Sequence, residues 1–576
     1  MKIAALEVSN LGCIGAEGRV LPIDDIVLLI GPNSTGKSTL LDAYEALFSQ
    51  GSALPLSKFH NEEPANTPAV AVVLTELTGE DMDKIGVKWV HVDPVYGECV
   101  KFRYLWTAPG EKGDKQSWDP SLGQWAAGGA GGIDPLLTSC LPVPLRIRPT
   151  DGYDAAQKLI VAQVVAAMKE PASELTCEVA GVQTTLTGLA QQLADAVADE
   201  LEPTRTALTQ KLRAVFPGTD VAIKADAADI SLEDLVAKGT HVRVGRSEES
   251  VYPLSQQGAG VQRAFIWCAL QTLAELGKYK LGKTTMKSDR PRILLVEEPE
   301  CFLHPPAVRA CCDALYDLAA VDGWQVVVCT HSPAFVDVAK PHTTIVRVAA
   351  DETGTPRMFS TDKAFFDGDE KSVLRMVRSC HPTVNEFFFA DHTILVEGET
   401  EQVALAMLLP ALVPCGQFYA VVNCMGKGNI PLFARILNQF GSPYTAIFDA
   451  DCPRIQRSGR WEANGMWTVS GRILDAVAER PTHLPPARAV VTVPDFEQRY
   501  YGRKLRADKP YTAYKALASD SFQADDKYEA LRKLPSGLVS GSGLDFVTSM
   551  GDVTALVAAW ADATGNASAP EWQTSG

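Results

Sequence analysis

Eight residues near the start of the chain, Gly31-Pro32-Asn33-Ser34-Thr35-Gly36-Lys37-Ser38, meet every fixed position of G-x-x-x-x-G-K-[ST]. In such a loop the glycines let backbone N–H groups turn inward onto phosphate oxygens, and the following helix start adds partial positive charge. Lys37 reaches the β- and γ-phosphates and Ser38 holds Mg²⁺, with Gly31, Asn33, Ser34, Gly36 and Thr39 completing the cradle. Glu297 and Glu298 follow a run of apolar residues, as acids that hold Mg²⁺ and orient an attacking water do, and His331 closes a later apolar run. A second set of acids stands far downstream: Glu397 and Glu401, then Asp449 and Asp451. Four carboxylates brought together repel unless divalent cations lie between them, and hard oxygen ligands select Mg²⁺ or Mn²⁺. Such a centre activates water and stabilises the leaving oxygen in phosphodiester cleavage.

Both sets need strands to position them. Ile26–Ile30 is apolar throughout and precedes the phosphate loop; Leu40, Leu41, Tyr44 and Leu47-Phe48 then mark one face of a helix. The runs 293–296 and 325–329 are further buried strands, ending at Glu297-Glu298 and at Thr330-His331. Downstream, strands are expected over 393–396, 418–422, 444–448 and 489–493, with helices between the first three. If they form a parallel sheet, their C-terminal ends open on one edge, so Glu397, Glu401, Asp449 and Asp451 meet there. Asp449 and Asp451 share a direction if strand geometry continues through them. Glu497, just past the fourth strand, is a further candidate ligand. Arg454, Arg457 and Arg460 follow the Asp pair, and Arg499, Arg503, Lys504 and Arg506 follow Glu497, where a phosphate backbone would lie.

The rest of the chain is read more coarsely. Residues 106–135, rich in Gly and Pro with Trp, read as a long surface loop, and 151–216, rich in Ala, Leu and Gln, as long helices inserted into the first domain. Such helices pack on one another or on a second copy of the chain. Leu254-Ser255-Gln256-Gln257-Gly258 precedes an apolar helix from Ala264 to Leu276. At 576 residues, two to four domains are expected. No apolar run is long enough for a membrane span, and thirteen scattered cysteines without a C-x-x-C pair favour reduced thiols in a cytoplasm. A net charge of −17 argues against a uniformly basic nucleic-acid coat but leaves room for a local basic groove or bound metal.

The phosphate loop, Leu254–Gly258, Glu297-Glu298 and His331 together resemble the ATP-binding-cassette ATPases of the repair and chromosome-maintenance branch, over residues 1–350. The resemblance implies that ATP and one Mg²⁺ bind at Lys37, Ser38 and Glu297, that Glu298 is the general base, and that His331 is the switch histidine. Ser255 and Gly258 would reach the γ-phosphate of a partner's ATP, which implies a dimer. Two departures stand out: Glu297 replaces the usual Asp, and L-S-Q-Q-G lacks the usual glycine pair after its Ser.

The strand ending in Glu397-Gly398 and the Asp449-x-Asp451 pair are similar to the Toprim domain of topoisomerases, primases and certain nucleases. A cassette followed by Toprim resembles the OLD (overcoming lysogenization defect) family of nucleases, in which the nuclease subunit of the Gabija anti-phage system has a similar length and layout. The expected fold is α/β: an ABC-type ATPase domain over 1–350 with a helical insertion at 151–216, a candidate dimerisation element; a linker and helix over 351–388; a Toprim domain with a parallel sheet over 389–510; and a helical segment and tail over 511–576. The resemblance implies two metals on Glu397, Glu401, Asp449, Asp451 and Glu497, and a lysine that stabilises the transition state. Lys509 leads for that role, with Lys504, Lys515 and Lys533 as rivals. It also implies a bacterial cytoplasmic enzyme acting on double-stranded DNA as a homodimer or homotetramer, with a UvrD-like helicase as a further partner and no membrane. Two alternatives stand beside a metal-dependent endonuclease: a DNA-clamping structural or repair ATPase whose Toprim domain does not cut, and a primase or topoisomerase-like enzyme.

Overall fold

The computed structural model describes residues 1–32, 35–127, 141–152, 157, 160–161, 182–224, 241–245, 247, 250–276, 280–281, 284–285, 290–336, 343–350, 356–360, 384–415, 417–505 and 508–573. The chain forms two compact units, Met1–Asp337 with His342–Met358, and Val338–Pro341 with Phe359–Gly576.

In the first unit, five strands run parallel in the order Thr343–Ala350, Ile26–Ile30, Trp324–Cys329, Arg292–Glu297, Val143–Ile147. The three central strands are buried along their whole length. Full burial on both faces is what their unbroken apolar runs call for, since helices cover both sides of a parallel sheet. The order places the C-terminal ends of Ile26–Ile30 and Trp324–Cys329 side by side, with Arg292–Glu297 next. Phosphate loop, acids and His331 therefore share one sheet edge. The helix Lys37–Phe48 starts at that edge and buries Leu40, Leu41, Tyr44, Leu47 and Phe48.

An antiparallel sheet accompanies it, in the order Arg19–Pro22, Lys2–Ser9, Ala69–Thr75, Gly97–Leu105, Asp114–Asp119, Gln124–Ala127. Its last two strands lie in the stretch that reads as a loop, so that reading is corrected. Trp118 and Trp125 pack edge to face across the hairpin, and Trp106 is fully buried, donating from Nε1 to Ser52 O at 2.9 Å. Cross-strand aromatic pairing stabilises strands whose other residues are polar. Residues 128–140 lie outside the described residues.

Within 151–216, the helix Val182–Val215 is described, and most of 151–181 is not. It packs on two helices of its own chain, Ala259–Glu275 and Pro305–Ala319, and buries Leu208, Leu212 and Val215. That face needs no second copy to cover it. All ten cysteines among the described residues are free thiols. No helix among the described residues is long and apolar enough to cross a membrane.

The second unit holds four parallel strands in the order Tyr419–Asn423, His392–Val396, Tyr444–Asp449, Ala487–Thr492. The helices Lys509–Leu517 and Asp526–Ser540 contribute Ala513, Leu517, Leu531, Leu534 and Leu538 to one core with Ile394, Ala404, Leu405 and Phe496. The C-terminal helices are thus packed onto the sheet's own core rather than hung after it. Of the stretch 351–388, residues 351–355 and 361–383 lie outside the described residues.

Candidate functional site

Gly31 and Gly36 have φ of 132° and 95°, values that favour glycine. A Cβ on Gly31 would lie 2.0 Å from Val348 O. Asn33 and Ser34 lie outside the described residues. Lys37 is buried, its Nζ donating to Gly31 O at 2.9 Å and Pro32 O at 2.6 Å. The loop's own carbonyls thus hold the ammonium that the motif assigns to phosphate, and burial pulls its pKa below the ordinary lysine value. Ser38 Oγ donates to Glu297 Oε2. Thr39 turns away from this contact, its Oγ1 3.8 Å from Cys13 Sγ.

Sequence reasoning missed the cations around Glu297. Arg146 pairs with Glu297 Oε1 and with Asp42 Oδ1 at 3.3 Å, and Arg263 donates to the Glu297 backbone carbonyl and to Pro149 O at 3.2 Å. The longer arm of Glu, where Asp is usual, is held in place by Arg146. Glu298 leaves the strand at φ 45°, its N–H donating to Cys329 O at 2.7 Å and its carboxylate accepting from Cys301 Sγ at 3.0 Å. Glu300 was also missed. It accepts from Thr330 Oγ1 at 2.9 Å and from the His331 backbone N–H at 2.7 Å, fixing the turn that carries the histidine. Burial, then the nearby Lys37 charge, lower the His331 pKa and keep the ring neutral near pH 7. Ser255 and Gly258 are exposed, in the 3₁₀ turn Leu254–Gln256 and just before the helix Ala259–Glu275. Among the described residues no hydrogen bond joins either side of that turn to the Lys37 loop. Lys37→Met is expected to remove nucleotide binding while leaving the melting temperature within a few degrees, since the lysine's partners are neutral carbonyls and methionine leaves no buried charge unpaired. Binding of a fluorescent ATP analogue measures it.

In the second unit the four strand ends do converge. Asp449 N–H donates to Glu397 Oε1 at 2.7 Å, joining the ends of adjacent strands. Asp449 Oδ1 accepts from Thr492 Oγ1 at 2.6 Å and Phe496 N–H at 2.7 Å, reaching the third strand end. Glu401, in the first turn of Glu399–Leu408, is buried. Glu497 accepts from Leu505 N–H at 2.8 Å and pairs with Lys509 Nζ at 2.9 Å. The carboxyls sense one another. Burial and then Asp449's charge raise Glu397 well above the usual carboxylate range; burial and then Glu401 raise Asp449; burial and then Glu497 raise Glu401.

Asp451 departs from expectation. The strand ends at Asp449, and Asp451 has φ 58°, so the alternation that gave the two aspartates a shared direction is broken. Its carboxylate instead pairs with Lys427 Nζ at 2.7 Å. Lys427 was missed. It is buried in the 3₁₀ turn Lys427–Asn429 that follows the strand Tyr419–Asn423, on the far side of His392–Val396 from Tyr444–Asp449, and it also donates to Asp449 O. Its only sequence signal is a lysine inside a Gly-x-Gly turn at a strand end. Hence part of the acid charge is balanced by a built-in ammonium, a compensation the sequence reading assigned to metal alone. Among the lysine candidates, Lys509 touches the centre, Lys504 lies 3.5 Å from Asp495, Lys515 lies over the Tyr511 ring, and Lys533 lies 3.9 Å from Glu529.

The donor set fits a hard divalent cation: carboxylate oxygens only, three of them on acids that burial, and then mutual repulsion, drives toward protonation. The acids are spread wider than a closed cage. Among the described residues, three His, Cys, Asp or Glu ligand atoms lie within 4.8 Å of one another at His91, Asp93 and Cys99. There Asp93 is already occupied, accepting from Val95 N–H at 2.8 Å and from Lys101 Nζ at 2.7 Å, contacts that hold its pKa down at about 2. That triad is a braced hairpin turn.

The family model described as "Overcoming lysogenization defect protein-like, TOPRIM domain" matches residues 388–451. "AAA ATPase domain" matches 161–336, and "P-loop containing region of AAA domain" matches 3–56. The OLD nuclease of Thermus scotoductus is 25% identical over 534 residues, 88% of this chain and 93% of that protein. The Old nuclease of Escherichia phage P2 is 25% identical over 480 residues, 78% of this chain and 77% of that one. Among solved structures, the Smc head domain of Pyrococcus furiosus gives a TM-score of 0.38 at 14% identity, covering 65% of this chain and 99% of that chain. The relatives and family models together support a nuclease with an ATPase domain, and the chain joins an AAA-type ATPase domain to an OLD-like Toprim domain.

Proposed function

We propose that the protein is a metal-dependent DNA endonuclease whose ATP-binding domain controls cutting. The observation that carries this reading is the meeting of Glu397, Glu401, Asp449 and Glu497 at the ends of three neighbouring parallel strands. These four acids would hold Mg²⁺ or Mn²⁺, and Asp451 joins them once it leaves Lys427. A bound cation supplies an activated water and a counter-charge for the leaving oxygen. The chain's own part is positional. Thr492 and the Phe496 N–H orient the Asp449 carboxylate, the Asp449 N–H orients Glu397, and the exposed Lys509 stands beside Glu497 to meet negative charge gathering on phosphate.

In the first unit Lys37, Ser38 and Glu297 bind ATP with Mg²⁺, Glu298 acts as general base and His331 reads the γ-phosphate, while Ser255 and Gly258 serve a second subunit of a homodimer or homotetramer. A cytoplasmic anti-phage role beside a UvrD-like helicase, as in Gabija, is the finer form of this reading. The built-in lysines favour the second reading, a DNA-clamping ATPase with a silent Toprim domain, because they offset acid charge without metal. Supercoiled plasmid separates the two. With Mg²⁺ or Mn²⁺ the protein is expected to nick and linearise it, with EDTA it should not, and ATP should change the rate. Binding without any cutting in either metal overturns the endonuclease reading.

A further inference from the structure

The second unit carries two basic runs beside its acidic centre, and they differ in kind. In the run after Glu497, Arg499 is taken up by Asp545 and lies against the Tyr500 ring, Lys504 lies near Asp495, Arg503 is exposed without an ion-pair partner among the described residues, and Arg506 lies outside them. In the run after Asp451, none of Arg454, Arg457 and Arg460 has an ion-pair partner among the described residues. These three sit on an antiparallel hairpin, Arg454–Arg457 with Arg460–Ala463.

The hairpin is rigidly built. Ser458 and Gly459 both have positive φ, 48° and 79°, as a two-residue type I′ turn requires. Asn464 clamps its root. Its N–H donates to Pro453 O at 2.8 Å and its Nδ2 to Cys452 O at 2.8 Å, while its side chain caps the helix Gly465–Ala478. Pro570–Trp572 packs on the strand Arg454–Arg457. Arg457 and Arg460 are exposed and directly opposed in register. Like charges facing across a strand pair destabilise it unless an anion lies between or beside them. The one acid on the hairpin, Glu462, is exposed opposite Ile455 and is not ion-paired to either arginine.

We infer that this hairpin is an arm that grips the phosphate backbone of duplex DNA beside the cleavage centre, with Arg457 and Arg460 as a paired phosphate contact and Arg454 nearer the acids. The inference rests on the endonuclease reading for its substrate. Arg454 is three residues from Asp451, within about 10 Å of chain reach, and each four-residue arm adds about 13 Å. DNA carries a phosphate every 3.4 Å of axis on each strand, so an arm of that length covers several of them.

The test is duplex binding by fluorescence anisotropy across a salt series, in Ca²⁺ with Mg²⁺ absent, for the parent, Arg457→Gln/Arg460→Gln and Arg457→Lys/Arg460→Lys. Loss of two phosphate contacts is expected to make the log–log salt slope shallower by about 2, at about 0.9 per contact, with lysines restoring most of it. The pair Arg532→Gln/Lys533→Gln, on a helix where both cations already face Glu529, should leave the slope unchanged. An unchanged slope in the Arg457/Arg460 glutamine variant, or a parent that does not bind duplex, overturns the inference. A parent that binds with the expected slope change yet cuts no plasmid overturns the endonuclease reading and leaves the arm standing.

Discussion

Glu397→Gln is expected to lower cleavage by about 10³-fold, the upper range for losing one preorganised electrostatic partner, while raising the melting temperature of the metal-free protein at pH 8. The opposite signs have one cause. Glu397 Oε1 accepts from the Asp449 N–H at 2.7 Å, an arrangement that glutamine's carbonyl oxygen keeps. Burial and the Asp449 charge raise the Glu397 pKa well above its usual range. An acid whose folded value lies above its unfolded one holds its proton more tightly in the fold. Stability is therefore greatest below the unfolded value near 4.3 and falls as pH rises through the folded one. Each unit of that rise costs about 1.4 kcal/mol at alkaline pH, and the amide has no such cost. Metal-free parent should thus melt at lower temperature at pH 8 than at pH 5, and Mg²⁺ or Mn²⁺ should recover the loss. Glu401 and Asp449 are raised too, so the variant's profile is flatter but not flat. Differential scanning fluorimetry with EDTA and with each metal reads all of this. A variant with the parent's pH profile and the parent's divalent response would show that Glu397 does not share the field of the other acids.

What could be read before the structure is what local pattern encodes. Ile26–Ile30, 293–296 and 326–329 are apolar without a break, and only a strand buried on both faces calls for that. Placing Glu397 at one strand end and Asp449 at another then required only that the strands be parallel, which they are. The failures are of two kinds. Asp114–Asp119 is a mostly polar strand held by pairing with Gly97–Leu105, and the four-residue Gln124–Ala127 is held by pairing with it and by the contact between Trp118 and Trp125, none of it visible in a short window. The other misses are long-range charge partners. Arg146 is 151 positions from Glu297, and Lys427 is 24 from Asp451; neither pair has a spacing that marks it. The left-handed turn at Asp451 belongs with them, because it is the Lys427 contact that makes use of it.

That contact sets up the largest stability effect in the second unit. Lys427 is 3% exposed, and its Nζ serves both the Asp451 carboxylate and the Asp449 carbonyl. Removing the lysine leaves the Asp449 carbonyl and the Asp451 carboxylate unmatched, but that carboxylate is a third exposed and partly solvated, so Lys427→Met should be destabilised by about 1–3 kcal/mol in EDTA, short of the loss for a fully buried pair. The missing positive charge is of the kind a divalent cation supplies. Mg²⁺ or Mn²⁺ should accordingly restore more stability to Lys427→Met than to the parent. Lys509→Met makes the contrast. Its ammonium is 53% exposed beside Glu497, where a pair contributes about 0–1 kcal/mol, so it should unfold near the parent's midpoint yet cut more slowly. Urea unfolding of the three proteins, with EDTA and with Mg²⁺, measures both expectations. Equal midpoints for Lys427→Met and the parent in EDTA would mean that Asp451 is balanced by solvent, and the idea of a lysine holding the place of a cation would fall with it.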